Sequence, residues 1–296
     1  GYQVLGFGSG VVADAGGDKA IFGFGSNASG KVSMTNLVTN LGVVGSDVTG
    51  VGTARGTLGA ASYGGNKAIF GFGDDGDATA VTNLVSSSGV VGSDVAGVGT
   101  ARYYIGAAGY GTDKAIFAYG HINVSNLVSN VGVVATDVAG VGTSRRAHNT
   151  GTGYGTDKAI FAYGYSGGAI SMSNLVTNLG VIGSDVTGVG TARFYPAAAS
   201  YGTDKAIYGY GEAASKLSMT NLVSNLGVIA TDTTGVGTAR SYLGAAGYGE
   251  DKAIFAFGHT GGAGYQNVKN LVSNSGVVAS DATGVGTARR TVAAGY

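Results

Sequence analysis

An Asn, an Asp eleven positions later and an Arg eight positions after that recur six times in this chain, with no insertion or deletion inside the motif. The copies are Asn36-Asp47-Arg55, Asn83-Asp94-Arg102, Asn126-Asp137-Arg145, Asn174-Asp185-Arg193, Asn221-Asp232-Arg240 and Asn270-Asp281-Arg289, and they return every 43 to 49 residues. A unit of that length cannot bury its own apolar surface, so the copies must pack against one another. Periods of about 40–50 residues belong to helical solenoids or to β-propellers.

Glycine supplies 58 of 296 residues, which by itself would suit a disordered linker. The hydrophobic share of 44% against 11% charged residues argues otherwise, and the glycines read as turn and close-packing positions within one domain. Basic and acidic side chains number 17 each, so the net charge is zero and the footprint of a nucleic-acid or anionic-membrane binder is missing. No cysteine is present for disulfides or thiolate ligands. No apolar run reaches the length of a membrane span, which argues against membrane insertion. The start, Gly1-Tyr2-Gln3-Val4-Leu5, lacks an initiator Met and reads as a processed end or as part of something longer.

Within a repeat the order is a small-residue stretch (Gly106-Ala107-Ala108, Ala197-Ala198-Ala199), a tight turn (Gly65-Asn66, Thr112-Asp113, Thr203-Asp204) and an apolar run such as Ile116-Phe117-Ala118-Tyr119. These predict strands A and B of a hairpin, B covered on both faces. Ser33–Val38 and Gly42–Val48 predict strands C and D around the turn Asn40-Leu41-Gly42. β-branched residues and recurring glycine disfavour helices. The expected fold is all-β, a six-bladed propeller of four-stranded antiparallel blades, with repeats near 9–55, 56–102, 103–145, 146–193, 194–240 and 241–289. The ends 1–8 and 290–296 are expected to close the ring by sharing one blade. A seven-bladed ring or an open array is the alternative.

That order of Arg102, Gly106-Ala107-Ala108 and Ile116-Phe117-Ala118-Tyr119-Gly120, repeated along nearly the whole chain, resembles the kelch repeat. The double glycine that usually follows the second kelch strand is replaced by Gly-Phe-Gly or Ala-Tyr-Gly, and the Trp of the fourth is missing, so the resemblance is to a divergent kelch-like propeller. Some kelch-like propellers are copper oxidases with a Tyr cross-linked to Cys, a site that a chain without Cys does not reproduce. A looser likeness is to repetitive structural proteins of phages and marine viruses, of the tail-fibre kind.

From the hairpin residue to the next motif Asn the spacing is 18, 17, 13, 17, 17 and 19 residues, so length varies in the B–C loops. The positions just after each motif Arg vary as well. In antiparallel hairpins both regions fall at one end of a blade. That face is expected to display Tyr103, Tyr104, His121, Arg146, His148, Tyr165, Phe194, Tyr195, Tyr242, His259 and Tyr265, aromatics and a few polar groups of the kind that bind ligands. Unconstrained loop drift is the competing account. The Asn-Asp-Arg motif itself is expected to be structural, since architecture needs it in every copy whereas an active site is built once.

Other motifs carry less. Asp74-Asp75-Gly76-Asp77 resembles part of a calcium loop but lacks its downstream Glu. His121, His148 and His259 lack metal-ligand spacing and default to the surface, and no Ser-His-acid set stands out. The expectation is therefore a module with no enzyme activity, cofactor or metal, extracellular or on a virion. It would present its variable face to a glycan or protein on a cell surface, or to other virion proteins, with a homo-oligomer or a longer chain left open. The alternatives are a virion decoration protein that binds no receptor, and a propeller enzyme acting on carbohydrate around Asp14, His148 and Pro196.

Overall fold

In a computed structural model, residues 18–296 of the chain are described; the expected strand at 3–8 and Asp14 lie outside them. The chain is all-β, with no helix among the described residues. In order the strands are β1 (Ala20–Asn27) and β2 (Gly30–Val38), then β3 (Gly59–Tyr63), β4 (Lys67–Asp74) and β5 (Ala78–Val85). Next come β6 (Gly106–Tyr110), β7 (Lys114–Ala118), β8 (Val124–Val128) and the two-residue β9 (Val138–Ala139). They are followed by β10 (Gly151–Tyr154), β11 (Lys158–Tyr165) and β12 (Ala169–Val176), and by β13 (Ala197–Tyr201), β14 (Lys205–Gly209) and β15 (Thr220–Val223). The last are β16 (Gly244–Tyr248), β17 (Lys252–His259), β18 (Tyr265–Val272) and β19 (Arg290–Gly295).

These strands form six antiparallel sheets, five of three strands and one of four. From the second repeat to the sixth, strands A, B and C fall where the sequence puts them, as do B and C of the first. The fourth segment differs: it is a strand only as β9, and elsewhere touches strand C through isolated bridges such as Val38↔Val44 and Thr35↔Val48. The motif Asn bonds across to this segment: Asn36 Nδ2 donates to Gly45 O at 3.0 Å and to Asp47 Oδ1 at 2.9 Å, and Asn126 makes the same pair of bonds in the sheet that holds β9.

The core is divided among the gaps between sheets. Six apolar clusters each join residues of two neighbouring sheets, and one of them joins the first sheet to the last (Phe22 and Val38 with Ile254 and Phe257). Phe117, for example, lies against Gly71 so closely that a Cβ there would sit 2.7 Å from the ring. The small A strands touch one another in sequence, and β19 touches both β16 and β3, so the neighbour relations return to their start. β19 supplies the A strand of the first sheet through Ala20↔Gly295, Ile21↔Ala294 and Phe22↔Ala293. The partner of the C-terminal strand is thus Ala20–Asn27, where the sequence had suggested residues 1–8.

The motif ties neighbouring copies together. Arg55 donates from Nη2 to Asn83 Oδ1 at 2.6 Å and from Nε to Phe72 O at 2.9 Å, both in the following repeat. Its guanidinium lies 4.4 Å from the centre of the Phe24 ring in the preceding sheet. Asp94 accepts Thr53 Oγ1 at 2.6 Å from the preceding copy and Asn83 Nδ2 at 2.9 Å from its own. The same cation–π stack recurs with Arg102, Arg145, Arg193, Arg240 and Arg289 at 3.9–4.4 Å. Arg289 and Thr287 close the series on Asp47 at 3.9 and 2.6 Å. Each stacked ring has a φ near +60°, at a bulge in strand B for Phe24, Phe72, Tyr163 and Phe257 and just past the strand's end for Tyr119 and Tyr210. That uncommon backbone turns the ring to the Arg and is offset by its complete burial.

Candidate functional site

The residues after each motif Arg lie beside the end of strand B, through the bridges Gly56↔Asp74, Arg146↔Tyr165, Phe194↔Glu212 and Ser241↔His259. Both variable regions therefore share one end of the sheets. The hairpins and C–D turns share the other, where Asn178 Nδ2 donates to Asp157 Oδ2 at 3.2 Å.

At the variable end the expected site residues form one connected layer. Tyr103 meets His121 at 5.0 Å and Tyr104 at 5.2 Å between ring centres. Tyr104 stacks on Tyr195 at 5.4 Å, and Tyr195 on Tyr242 at 4.0 Å. Phe194 stands edge-on to Tyr195 at 4.9 Å and to Tyr165 at 5.5 Å. Arg146 lies over Tyr104 and Tyr165 at 5.0 and 5.3 Å, and its Nη1 donates to Tyr195 Oη at 3.4 Å. Two residues outside the expected set complete the layer. Arg290 covers Tyr242 at 4.4 Å and Tyr265 at 5.8 Å and reaches His259 Nδ1 at 3.4 Å, while His259 packs on Tyr265 at 4.9 Å. Asn149 donates from Nδ2 to Leu243 O at 2.6 Å and to Thr291 O at 3.1 Å, linking distant repeats. Both occupy the variable stretch after a motif Arg, which is the signal that could have named them.

Local backbone explains the convergence. Tyr104, Tyr195 and Tyr242 each follow a motif Arg by two positions and have φ of 54–55°, and successive loops bond in series through Tyr104 N→Thr57 O, Tyr242 N→Tyr195 O and Thr291 N→Tyr242 O at 2.8–3.3 Å. The left-handed turn points these side chains inward, against the expectation that all are displayed. Tyr195 and Tyr242 are buried, as are His148 and His259, which corrects the surface placement expected for two of the three histidines. His121 is exposed, and Tyr103, Tyr104, Arg146, Tyr165, Phe194 and Tyr265 are half-buried. The layer thus has a closed floor and an accessible rim.

Its electrostatics follow from burial. Desolvation pushes the His148 imidazole down to about 3, so it is neutral beneath Tyr195 and Tyr242. Burial, then Tyr195, pushes the Tyr104 and Tyr242 hydroxyls up, and neither ionises near neutral pH. The Tyr195 hydroxyl and the surrounding rings hold Arg146 as a firm cation. Such a surface can stack on apolar faces and donate hydrogen bonds, and beside it Ser241 Oγ donates to Glu212 Oε2 at 3.3 Å.

Elsewhere, Asp74 of the calcium-like stretch accepts Lys31 Nζ at 2.5 Å and Gly76 N at 3.0 Å. No group of three or more His, Cys, Asp or Glu among the described residues converges to hold a metal ion. A cavity of about 120 Å³ opens on the opposite face, where hairpin residues such as Thr112, Lys158 and Thr203 surround the A strands.

No family model and no curated protein matches the sequence. Among solved structures the chain is similar to a fungal alcohol oxidase of the AA5 family in complex with copper, at 13% identity and a TM-score of 0.53. The match covers 94% of this chain and 65% of that one, and at this identity it speaks to the fold alone.

Proposed function

We propose that the six sheets are the blades of a six-bladed, kelch-like β-propeller, and that the chain is a non-catalytic binding module whose aromatic end takes a glycan. The ring of neighbouring sheets and the closure through β19 support the architecture. The observation that carries the function is the asymmetry of the aromatic layer. In a molecule that repeats its frame six times, four of the five half-buried Tyr and Phe rings of the layer, Tyr103, Tyr104, Tyr165 and Phe194, gather in three consecutive repeats around the cation Arg146, with Tyr265 apart in the sixth. Loop drift would scatter such residues. A row of rings held by packing and backbone hydrogen bonds is preorganised to stack on the C–H faces of sugar rings, with Arg146 placed for hydroxyl or carboxylate groups. His148, on which an enzymatic reading rests, is enclosed beneath Tyr195 and Tyr242, which favours binding over catalysis. A virion or cell surface is the setting that suits such a module.

A glycan array tests this. The protein should bind one family of glycans, and replacing Tyr103 and Phe194 with Ser should weaken that binding by about tenfold or more without unfolding the chain. Failure to bind any glycan would remove the proposal.

A further inference from the structure

The face opposite the aromatic layer repeats in every sheet, and it leaves large aliphatic side chains in water. Each C–D turn exposes a valine at the same place, Val43, Val90, Val133, Val181, Val228 and Val277, at 54–66% accessibility, and four turns add Leu41, Val131, Leu179 or Leu226 at 67–78%. None is needed to form its turn, which is made by the backbone; Gly42 N donates to Thr39 O at 2.9 Å and Thr39 N to Val43 O at 3.0 Å. A lone exposed Leu is ordinary, but the same exposure at six equivalent places marks a contact surface.

Inside this apolar circle lies one of alternating charge. The hairpins carry Asp113 beside Lys114 at 3.0 Å, Asp157 beside Lys158 at 2.7 Å, Asp204 beside Lys205 at 3.1 Å and Asp251 beside Lys252 at 2.7 Å. Around the whole circle the recurring lysines are balanced by the recurring aspartates and Glu250. A face of no net charge gives no pull to nucleic acid or to an anionic membrane. It is complementary to itself, because turning one copy over about a two-fold axis sets Lys against Asp around the circle at every hairpin but the one that carries Asn66. A partner must also match six equivalent turns, a requirement that another molecule of this chain meets by construction.

We infer that two copies associate through these hairpin faces, with the pseudo-sixfold axes aligned. Turn aliphatics interdigitate at the periphery, lysines and aspartates pair within, and both aromatic ends point outward. About 800 Å² per partner makes a standard interface, a modest share of the 11,573 Å² accessible surface of the chain. The inference does not depend on glycan binding.

Sedimentation velocity on the full chain decides it. The mass should be double the 29.0 kDa of one chain at protein concentrations up to about 100 μM, where micromolar association is saturated. The triple variant Leu41→Lys, Leu179→Lys, Leu226→Lys should sediment as a monomer with an unchanged circular dichroism spectrum. The milder Leu→Ser triple should raise the dissociation constant by about tenfold or more, which keeps the test decisive if the lysine variant misfolds. Tyr103→Ser with Phe194→Ser should leave the dimer intact. A monomeric wild type, a dimer indifferent to both triple variants, or one lost on changing the aromatic end would each overturn the assignment.

Discussion

Arg193 donates from Nη2 to Asn221 Oδ1 at 2.6 Å, although the two belong to different copies of the motif. The cation is held by the next repeat, where it faces Asp232 at 3.8 Å, and stacks on Tyr163 of its own repeat at 4.0 Å. The motif therefore works as a joint between sheets.

Asn221 and Asn174 offer a controlled comparison, since the Nδ2 of each donates to a backbone carbonyl and to the motif Asp at 2.9–3.0 Å. Only Asn221 also receives an Arg; the Asn174 Oδ1 has no partner. Asn221→Ala should cost about 1.5–3 kcal/mol more than Asn174→Ala, the worth of a buried hydrogen bond to a charged group. Urea midpoints of the two variants measure the difference. Equal losses would mean that the arginine contributes little to the joint.

Gly52 faces the equivalent joint at Asn83 and Asp94. Its φ is +79°, and a Cβ there would lie 2.3 Å from Asp94 Oδ1. Gly52→Ala combines a left-handed backbone, disfavoured by about 1–2 kcal/mol for an L residue, with displacement of the carboxylate that Thr53 binds. The melting temperature should fall by several degrees, more than for Gly56→Ala, where a Cβ meets nothing within 4 Å. A reversed order would show that this approach has room to relax.

His148 gives a pH test. Burial lowers its pKa from 6.5 to about 3. Between those values the unfolded chain takes up a proton at this residue that the folded chain refuses, so its stabilising contribution, complete above pH 6.5, is lost as pH falls toward 3. The slope is on the order of 1 kcal/mol per pH unit. The motif carboxylates act lower. Burial pushes Asp94 up, but bonds from Thr53 and Asn83 and the nearby Arg55 outweigh it and hold the carboxyl below 3.8. Stability from that source is lost only as pH falls below 3.8. Denaturation at pH 7 and pH 4.5 should show a smaller difference for His148→Leu than for wild type. An unchanged difference would mean that His148 is not the group responsible.

Much of this was legible in the residues, and the rest was hidden for physical reasons. Period, strands A to C, turns and the division into a varied and a uniform end follow from spacing and residue size. That each Arg serves the next repeat was not visible, because chain order and spatial order are offset by one around the ring. That the fourth segment is held by isolated bridges and by side-chain bonds such as Asn36 to Gly45 O is a detail that composition does not reveal. The candidate residues do meet, but which form the floor was set by backbone sign. At Tyr195 and Tyr242 the left-handed φ carries the ring inward, where a loop reading expects it outward.

The joint between first and last sheets depends on β19. Its Val292, Ala293 and Ala294 are buried as the A strand on β1, Tyr296 N bonds Lys19 O at 2.9 Å, and Thr291 Oγ1 donates to Gly23 O at 2.9 Å. Removing residues 290–296 strips that sheet of its inner strand and exposes Ile21 and Phe22, each worth about 1.5–3 kcal/mol when fully buried. Against a total stability of roughly 5–15 kcal/mol, the shortened chain should be largely unfolded or open to proteolysis at room temperature. A synthetic peptide of residues 290–296 should restore protection in a concentration-dependent way, since the slot on β1 remains. If the shortened chain melts like the full one, closure through β19 does not hold the ring together.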